Sequence, residues 1–325
     1  MIINILLLII GFILLIKGAD IFVDGASSLA ENFKVPKMII ALTIVAFGTS
    51  APELAVSTQA ILKNNSEIVL GNVVGSNILN ILLILGISSL FSPIFVKDDT
   101  IHKEIPFTIL FSLLLTVVCF DNMFDKNIVN IVSRTDGLII LLFFMVFIYY
   151  LINTMRNNKT KDELIKPKYN TLVSILLLIL GLGGIVLGSN FVVDNASNIA
   201  KIIGVSDKLI SLTIVALGTS LPELVTSVQA SRKGENDIAI GNVIGSNIFN
   251  IGVVIGVPVT FINNIKAESF NYIDMLMMVI SAVLLYLLTR KDKKIGKKSG
   301  IIMLLMFVIY YIYVLLGGLI WYLKN

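Results

Sequence analysis

The sequence predicts an all-α polytopic membrane protein with ten transmembrane helices, arranged as two inverted five-helix repeats. Hydrophobic residues make up 56% of the 325 residues and charged residues only 14%, and the mean hydropathy is +0.94. A water-soluble fold of this size does not need so much apolar surface. Residues 11–87 align without a gap on residues 181–257, an offset of 170 residues with roughly 35 identities. Each half contains five apolar spans, and because five is odd, the second half must enter the membrane upside down.

The ten spans are apolar segments of about the length that crosses a bilayer. A polar stretch, Arg156–Lys168, separates the fifth span from the sixth. The chain is therefore divided into a first repeat at 1–153, a connector at 154–170 and a second repeat at 171–325. The predicted spans lie near 2–18, 38–62, 68–92, 105–120, 136–153, 171–190, 208–231, 238–262, 273–289 and 300–323.

Lysine and arginine predict the orientation, because they favour the cytoplasmic loops of a membrane protein. The loops after odd-numbered spans, with the nearby helix ends, carry 18 of the 25 lysines and arginines. These loops, including the connector, are therefore expected to be cytoplasmic, with both termini outside the plasma membrane. Asp20 and Asp24 follow the first span and are expected to lie near a helix end, in water.

The second span contains an acidic motif, Gly48-Thr49-Ser50-Ala51-Pro52-Glu53. A carboxylate in a long apolar run is expensive and marks a functional site by default. On a helix, Thr49 and Ser50 share the face of Glu53. Pro52 has no N–H, and its ring clashes with the carbonyl of Gly48, so the helix should kink or unwind there and expose backbone carbonyls.

The acidic motif occurs a second time, as Gly218-Thr219-Ser220-Leu221-Pro222-Glu223. The side-chain atoms of both copies that could bind a cation are all oxygens, which suit a hard cation such as Na⁺ or Ca²⁺. The simpler interpretation is a proline kink whose hydroxyls bond their own backbone. That interpretation gives neither glutamate a cationic partner in its own segment, and two inverted copies of a broken acidic helix are typical of secondary transporters with a midplane site.

A second motif follows in each half, Gly71-Asn72-Val73-Val74-Gly75-Ser76-Asn77-Ile78-Leu79-Asn80 and Gly241-Asn242-Val243-Ile244-Gly245-Ser246-Asn247-Ile248-Phe249-Asn250. The glycine pairs fit close helix packing. Asn72, Ser76 and Asn80 recur every four residues and form an oxygen-rich stripe on one helix face, which the second copy repeats. We expect the glycines to bring this helix close to the broken helix and the stripe to complete a cation site.

These paired motifs resemble the α-repeats of the sodium/calcium exchangers, within the calcium/cation antiporter superfamily. The resemblance covers both repeats and the ten-span layout. It implies Na⁺/Ca²⁺ antiport, with the usual three sodium ions per calcium ion, by sliding of the first and sixth helices against the rest. Asn250 stands where potassium-dependent members carry an aspartate, so potassium is not expected to be required. The cation ligands that the resemblance implies are the Ala46 carbonyl, Thr49, Ser50, Glu53, Ser76 and Asn80, and the Ala216 carbonyl, Thr219, Ser220, Glu223, Ser246 and Asn250.

In this interpretation Glu53 and Glu223 bind Ca²⁺ between them, with Thr49, Thr219 and the broken-helix carbonyls. Sodium competes for overlapping oxygens, with the serines in flanking positions. Na⁺ and Ca²⁺ are transported substrates, and we expect no cofactor, no enzymatic activity, no nucleic acid and no obligate protein partner besides the lipid bilayer. The sequence leaves open exchange of Ca²⁺ for protons or another cation. It disfavours a channel, and an intramembrane hydrolase would need a zinc motif or catalytic residues that are not found.

Overall fold

Apolar helices form nearly all of the computed structural model, which describes residues 1–62, 66–120, 130–157, 167–204, 216–267 and 272–324. The helices of the first half are α1 (Ile2–Phe33), α2 (Lys37–Thr49), α3 (Ala51–Leu62), α4 (66–91), α5 (Thr100–Cys119) and α6 (Arg134–Asn157). Those of the second half are α7 (Thr171–Ile202), α8 (Ala216–Gly218), α9 (Leu221–Arg232), α10 (Asn236–Phe261), α11 (Tyr272–Arg290) and α12 (Lys297–Lys324).

Within the described residues, eight helices are long and apolar enough to cross a membrane. The α2–α3 pair, bent by 49°, makes a ninth if it is counted as one span. These nine match nine of the ten predicted spans. The remaining predicted span, at 208–231, begins outside the described residues, and α8 and α9 lie in its later part. This span is therefore still a prediction. The connector is also still a prediction, because most of it lies outside the described residues.

The predicted ends of the first and sixth spans, at residues 18 and 190, are wrong. Helices α1 and α7 each contain 32 residues and continue to Phe33 and Ile202. At 1.5 Å per residue each is about 48 Å long, longer than the roughly 30 Å of hydrocarbon. The polar residues that end the apolar run therefore do not end the helix.

Asp20 and Asp24 accordingly lie within α1 and not near its end. The ammonium of Lys233 lies 2.9 Å from Asp20 and also pairs with Asp24, and Lys168 pairs with Asp24 at 2.7 Å. These lysines come from the end of α9 and from the segment before α7. Both carboxylates are therefore ion-paired and remain partly exposed, Asp20 by 45% and Asp24 by 23% of the side chain.

Glycines bring α1 and α7 into backbone contact. A Cβ added to Gly18 would lie 2.8 Å from the Ile185 nitrogen and 2.9 Å from the Gly181 oxygen, and Gly11 faces Gly188 in the same way. Further along, Gly25 faces Ser174, so the two helices run antiparallel. Small residues allow such close approach where lipid supplies no hydrophobic driving force.

Helices α4 and α10 occupy the centre of the bundle. In α10, 94% of the membrane-crossing window is buried, and in α4 72%, against 11% in α12 and 17% in α6. Two short antiparallel pairings tie the halves together at the loops: β1 (Ile94–Phe95) pairs with β4 (Lys294–Ile295), and β2 (Ile131–Val132) pairs with β3 (Ile265–Lys266). The two helices that carry the second motif are therefore enclosed by the rest of the molecule.

Candidate cation-binding site

Both acidic motifs interrupt a helix at the same residue. Ser50 separates α2 from α3 with φ −84° and ψ 8°, and Ser220 precedes α9 with φ −90° and ψ 5°. These angles belong to the sparsely populated bridge region between helix and strand. The predicted break at Gly48–Pro52 is confirmed, and the second half repeats it.

The breaks place the two carboxylates in the interior. Glu53 and Glu223 are each only 1% exposed, and none of the ion pairs among the described residues includes either of them. Each carboxylate bonds a serine from the other half. Ser50 Oγ donates to Glu223 Oε1 at 2.9 Å, and Ser220 Oγ donates to Glu53 Oε1 at 3.4 Å. The two breaks therefore face each other.

The threonines and serines of both motifs surround the carboxylates. Ser246 Oγ donates to Glu223 Oε1 at 3.4 Å, and Ser220 Oγ lies 3.3 Å from Ser76 Oγ. Thr49 Oγ1 donates to Asn242 Oδ1 at 3.0 Å. In the second half, the Thr219 side chain lies near the Glu53 carboxylate.

The first asparagine of the second motif fixes the start of the broken helix. Asn72 Nδ2 donates to the Glu53 carbonyl at 3.1 Å and to Ser57 Oγ at 2.9 Å. Asn242 makes the same two bonds, to the Glu223 carbonyl at 3.3 Å and to Ser227 Oγ at 3.0 Å. The two motifs are therefore close together in each half. The predicted glycine contact is seen for Gly241 and Gly245, which pack against Ala41 and Ala46 in the broken helix of the other half.

Each central helix changes its winding at the last asparagine of the motif. A π-helical segment covers Asn80–Leu85 in α4 and Asn250–Ile255 in α10, and another, Ala41–Val45, precedes the break in α2. Such wider turns are rare and are frequent at functional sites. The residue pattern does not predict these turns.

Four asparagines join the two central helices. Asn77 Nδ2 donates to the Asn247 carbonyl at 3.2 Å, and Asn247 Nδ2 donates to the Asn77 carbonyl at 3.3 Å. Asn80 Nδ2 donates to Asn247 Oδ1 at 3.0 Å, and Asn250 Nδ2 donates to Asn77 Oδ1 at 3.1 Å. All four are at most 1% exposed. Every bond in this set runs from one half to the other.

Four buried acceptor oxygens in these groups have no hydrogen-bond partner among the described residues: Glu53 Oε2, Glu223 Oε2, Asn80 Oδ1 and Asn250 Oδ1. In the repeat, Glu53 corresponds to Glu223 and Asn80 corresponds to Asn250. Leaving a buried polar atom unpaired costs about 1–3 kcal/mol, and more if it is charged. Four such acceptors, two of them on carboxylates, suit a hard cation that takes oxygen ligands.

The structure therefore brings together the side chains predicted at Thr49, Ser50, Glu53, Ser76 and Asn80 with Thr219, Ser220, Glu223, Ser246 and Asn250. The Ala46 carbonyl, a further predicted ligand, accepts a bond from the Ser50 N–H at 3.0 Å, and Thr49 Oγ1 lies 3.3 Å from it. The backbone of Ala216 begins α8, and its side chain lies outside the described part of the chain.

Sequence reasoning missed Asn77 and Asn247 as site residues. Both belong to the second motif, but neither is part of the oxygen-rich stripe, which takes every fourth residue. Their identity in both halves was the only signal, since their partners belong to the other half and cannot be read from spacing within one helix.

A family model, curated proteins and solved structures each match almost the whole length of this chain. The family model described as "Sodium/calcium exchanger protein" matches residues 3–153 and 173–316. The sodium/calcium exchanger MaX1 of Methanosarcina acetivorans is 32% identical, with 95% of this chain and 98% of that protein covered. The inner membrane protein YrbG of Escherichia coli is 33% identical, with 94% of each chain covered. A solved structure of the sodium-calcium exchanger NCX_Mj is similar with a TM-score of 0.81 and 36% identity, covering 95% of this chain and 97% of that one.

Proposed function

Because this chain belongs to the sodium/calcium exchanger family, we propose that it is a secondary antiporter that takes Na⁺ inward and Ca²⁺ outward. The transport takes place by alternating access around the site between the two helix breaks. As in the relatives, the activity is transport and not enzymatic catalysis.

The observation that carries the proposal is the set of four unpartnered oxygens on Glu53, Glu223, Asn80 and Asn250. Two carboxylates buried together in an apolar bundle repel each other and lose their hydration, both of which are costly. A divalent cation between them offsets both costs. The crossed hydrogen bonds, from Ser50 to Glu223 and from Ser220 to Glu53, support one shared site and not two separate ones.

We assign Ca²⁺ to the space between Glu53 and Glu223, with Thr49, Thr219 and the carbonyls of Ala46 and Ala216 as further ligands. The unpartnered side-chain oxygens of Asn80 and Asn250 complete this set of ligands. Sodium ions use overlapping oxygens, with Ser50, Ser76, Ser220 and Ser246 in flanking positions. The two ions therefore compete, which is what exchange requires. No cofactor takes part, and the ions are substrates.

The test is sodium-driven ⁴⁵Ca²⁺ flux in proteoliposomes with the Glu53→Gln and Glu223→Gln variants. Each keeps the side-chain shape but removes one of two charges that face Ca²⁺, so flux should be nearly lost. Glu104→Gln is the matched control, because Glu104 is also a buried carboxylate, 3% exposed, and bonds Tyr150 outside the site. Parental flux in either site variant would reject the assignment.

Exchange for protons is the alternative coupling, since a buried glutamate binds either a proton or a metal ion. The same vesicles separate the two, because a pH gradient without sodium drives calcium flux only in a proton exchanger. We also propose that potassium is not required, since Asn250 is neutral. Calcium flux should then be equal in potassium and in an inert cation.

The proposal includes the architecture of ten spans in two inverted repeats, with cytoplasmic odd-numbered loops and both termini outside the cell membrane. Two contacts support inversion. Helices α1 and α7, which are repeat counterparts, run antiparallel, and Asn77 and Asn247 exchange equivalent bonds. Sliding of α1 and α7 against the central helices then gives alternating access.

A further inference from the structure

Two side chains in the asparagine group, Asn77 and Asn247, are not among the assigned ligands. Each uses its Nδ2 to hold the carbonyl of the other and its Oδ1 to accept from a ligand candidate. Asn77 accepts from Asn250, and Asn247 accepts from Asn80. Their side-chain oxygens therefore point at nitrogens and not at a cation.

An asparagine ligand has an orientation problem that a carboxylate does not have. Its amide carries an oxygen that accepts and an NH₂ group that only donates, in nearly the same shape. Rotation by about 180° would exchange them and present a partial positive charge to the cation. In this structure the NH₂ groups of Asn80 and Asn250 are engaged, and their Oδ1 atoms are the ones without a partner in the described chain.

We propose that Asn77 and Asn247 are positioning residues, each of which orients the asparagine ligand of the opposite half. Asn77 holds Asn250, and Asn247 holds Asn80, so that both oxygens face the cation. The inference rests on the proposed function, because it requires a cation between the halves. It also makes the two halves interdependent, since neither presents its own asparagine oxygen without the other.

The crossed arrangement gives a test that distinguishes a positioning role of Asn77 from a role in helix packing alone. Asn77→Ala should weaken apparent calcium affinity about 10- to 100-fold, as outer-shell substitutions at metal sites typically do, with a smaller effect on the maximal rate. A carboxylate presents an oxygen in either orientation. In an Asn250→Asp background, the further change Asn77→Ala should therefore cost little affinity.

The matched control changes the other asparagine ligand, Asn80, in place of Asn250. In an Asn80→Asp background, Asn77→Ala should remain fully harmful, because Asn77 does not hold Asn80. For Asn247→Ala the pattern should reverse: Asn80→Asp removes its effect and Asn250→Asp does not. Affinities come from ⁴⁵Ca²⁺ flux against calcium concentration in proteoliposomes, each compared within its own background. If Asn77→Ala does not fold, Asn77→Ser carries the same comparison.

Equal losses of affinity for Asn77→Ala in both aspartate backgrounds would overturn the proposal and leave Asn77 as a helix-packing residue. The proposed function fails separately, if Glu53→Gln retains parental calcium flux. Loss of flux in Glu53→Gln without the crossed pattern therefore rejects the positioning role alone.

Discussion

Each carboxylate of the site is held by a serine from the opposite half. Ser50 donates to Glu223 and Ser220 donates to Glu53, at 2.9 and 3.4 Å. Hydrogen bonds to a charged group contribute about 1.5–3 kcal/mol. A serine oxygen that can turn between a carboxylate and a cation is suited to the weaker, monovalent substrate.

We expect Ser50→Ala to impair sodium more than calcium. The sodium concentration for half-maximal calcium release should rise by roughly tenfold, equal to about 1.4 kcal/mol, with calcium binding in zero sodium changed less. Ser112→Ala is the matched control, because Ser112 is buried and donates only along its own helix, to the Thr108 carbonyl at 2.9 Å. The assay is calcium release from loaded vesicles against external sodium. An identical sodium dependence of the two variants would remove Ser50 from the sodium path.

At the level of residues, the sequence singled out Glu53, Glu223, Asn80 and Asn250, the four side chains whose unpartnered oxygens carry the proposal. Duplication made this possible, because Glu53 and Asn80 recur as Glu223 and Asn250 in the same spacing. The hydrogen-bond partners were not predictable, since Ser50 bonds Glu223 and not Glu53, which is nearer in the sequence. Contacts between halves depend on how the halves dock, and spacing along one helix does not contain that information.

At the level of elements, the long helices α1 and α7 form a pair whose backbones come into contact at glycines. The Cβ that alanine would add at Gly181 lies 2.7 Å from the Phe22 nitrogen and 2.8 Å from the Gly18 oxygen. Rigid backbone atoms cannot move aside as a flexible side chain does. The pair should therefore move as one body if it slides against the central helices.

Gly181→Ala is expected to separate the pair, lower the thermal unfolding temperature in detergent and reduce calcium flux. Overpacking of this kind typically costs about 1–3 kcal/mol. Gly183→Ala is the control on the same helix, because no atom of another described helix lies within 4 Å of its added Cβ. If both variants unfold at the parental temperature, close packing does not hold α1 to α7.

The elements were predicted in kind but not in extent. Hydropathy finds the strongly apolar first part of α1, but it does not find the turns from Asp20 to Phe33, where residues such as Phe22 and Leu29 are buried in the core. The π-helical turns at Asn80 and Asn250 were not predictable either, because neither motif contains a residue pattern that distinguishes these turns from an α-helix.

At the level of the whole molecule, the charge bias gives a topology that labelling can check. Cysteines introduced as Lys161→Cys and Lys294→Cys should be cytoplasmic, and one introduced as Asn65→Cys should be external. With Cys119 replaced, an impermeant thiol reagent on intact cells should label only the last. The opposite labelling pattern would invert the orientation and leave the number of spans unchanged.

The net charge of the site predicts a voltage dependence. Glu53 and Glu223 give the site about −2 when both are ionised, which one Ca²⁺ neutralises; three Na⁺ leave it near +1. The membrane potential acts on that charge by roughly 2.3 kcal/mol per 100 mV. Calcium export should therefore accelerate as the inside becomes more negative, measured as flux in proteoliposomes at clamped potentials. Flux that does not respond to potential would reject three sodium ions per calcium.

The glycine contact between α1 and α7 is self-complementary. Gly11 faces Gly188 and Gly18 faces Gly181, and these partners are the repeat counterparts of Gly18 and Gly11 themselves. One half thus contains both surfaces of the contact, as in an isologous dimer interface. Two separate copies would have to meet in equal numbers and in opposite orientations. Joining them in one polypeptide guarantees both conditions during synthesis and leaves each copy free to acquire its own substitutions.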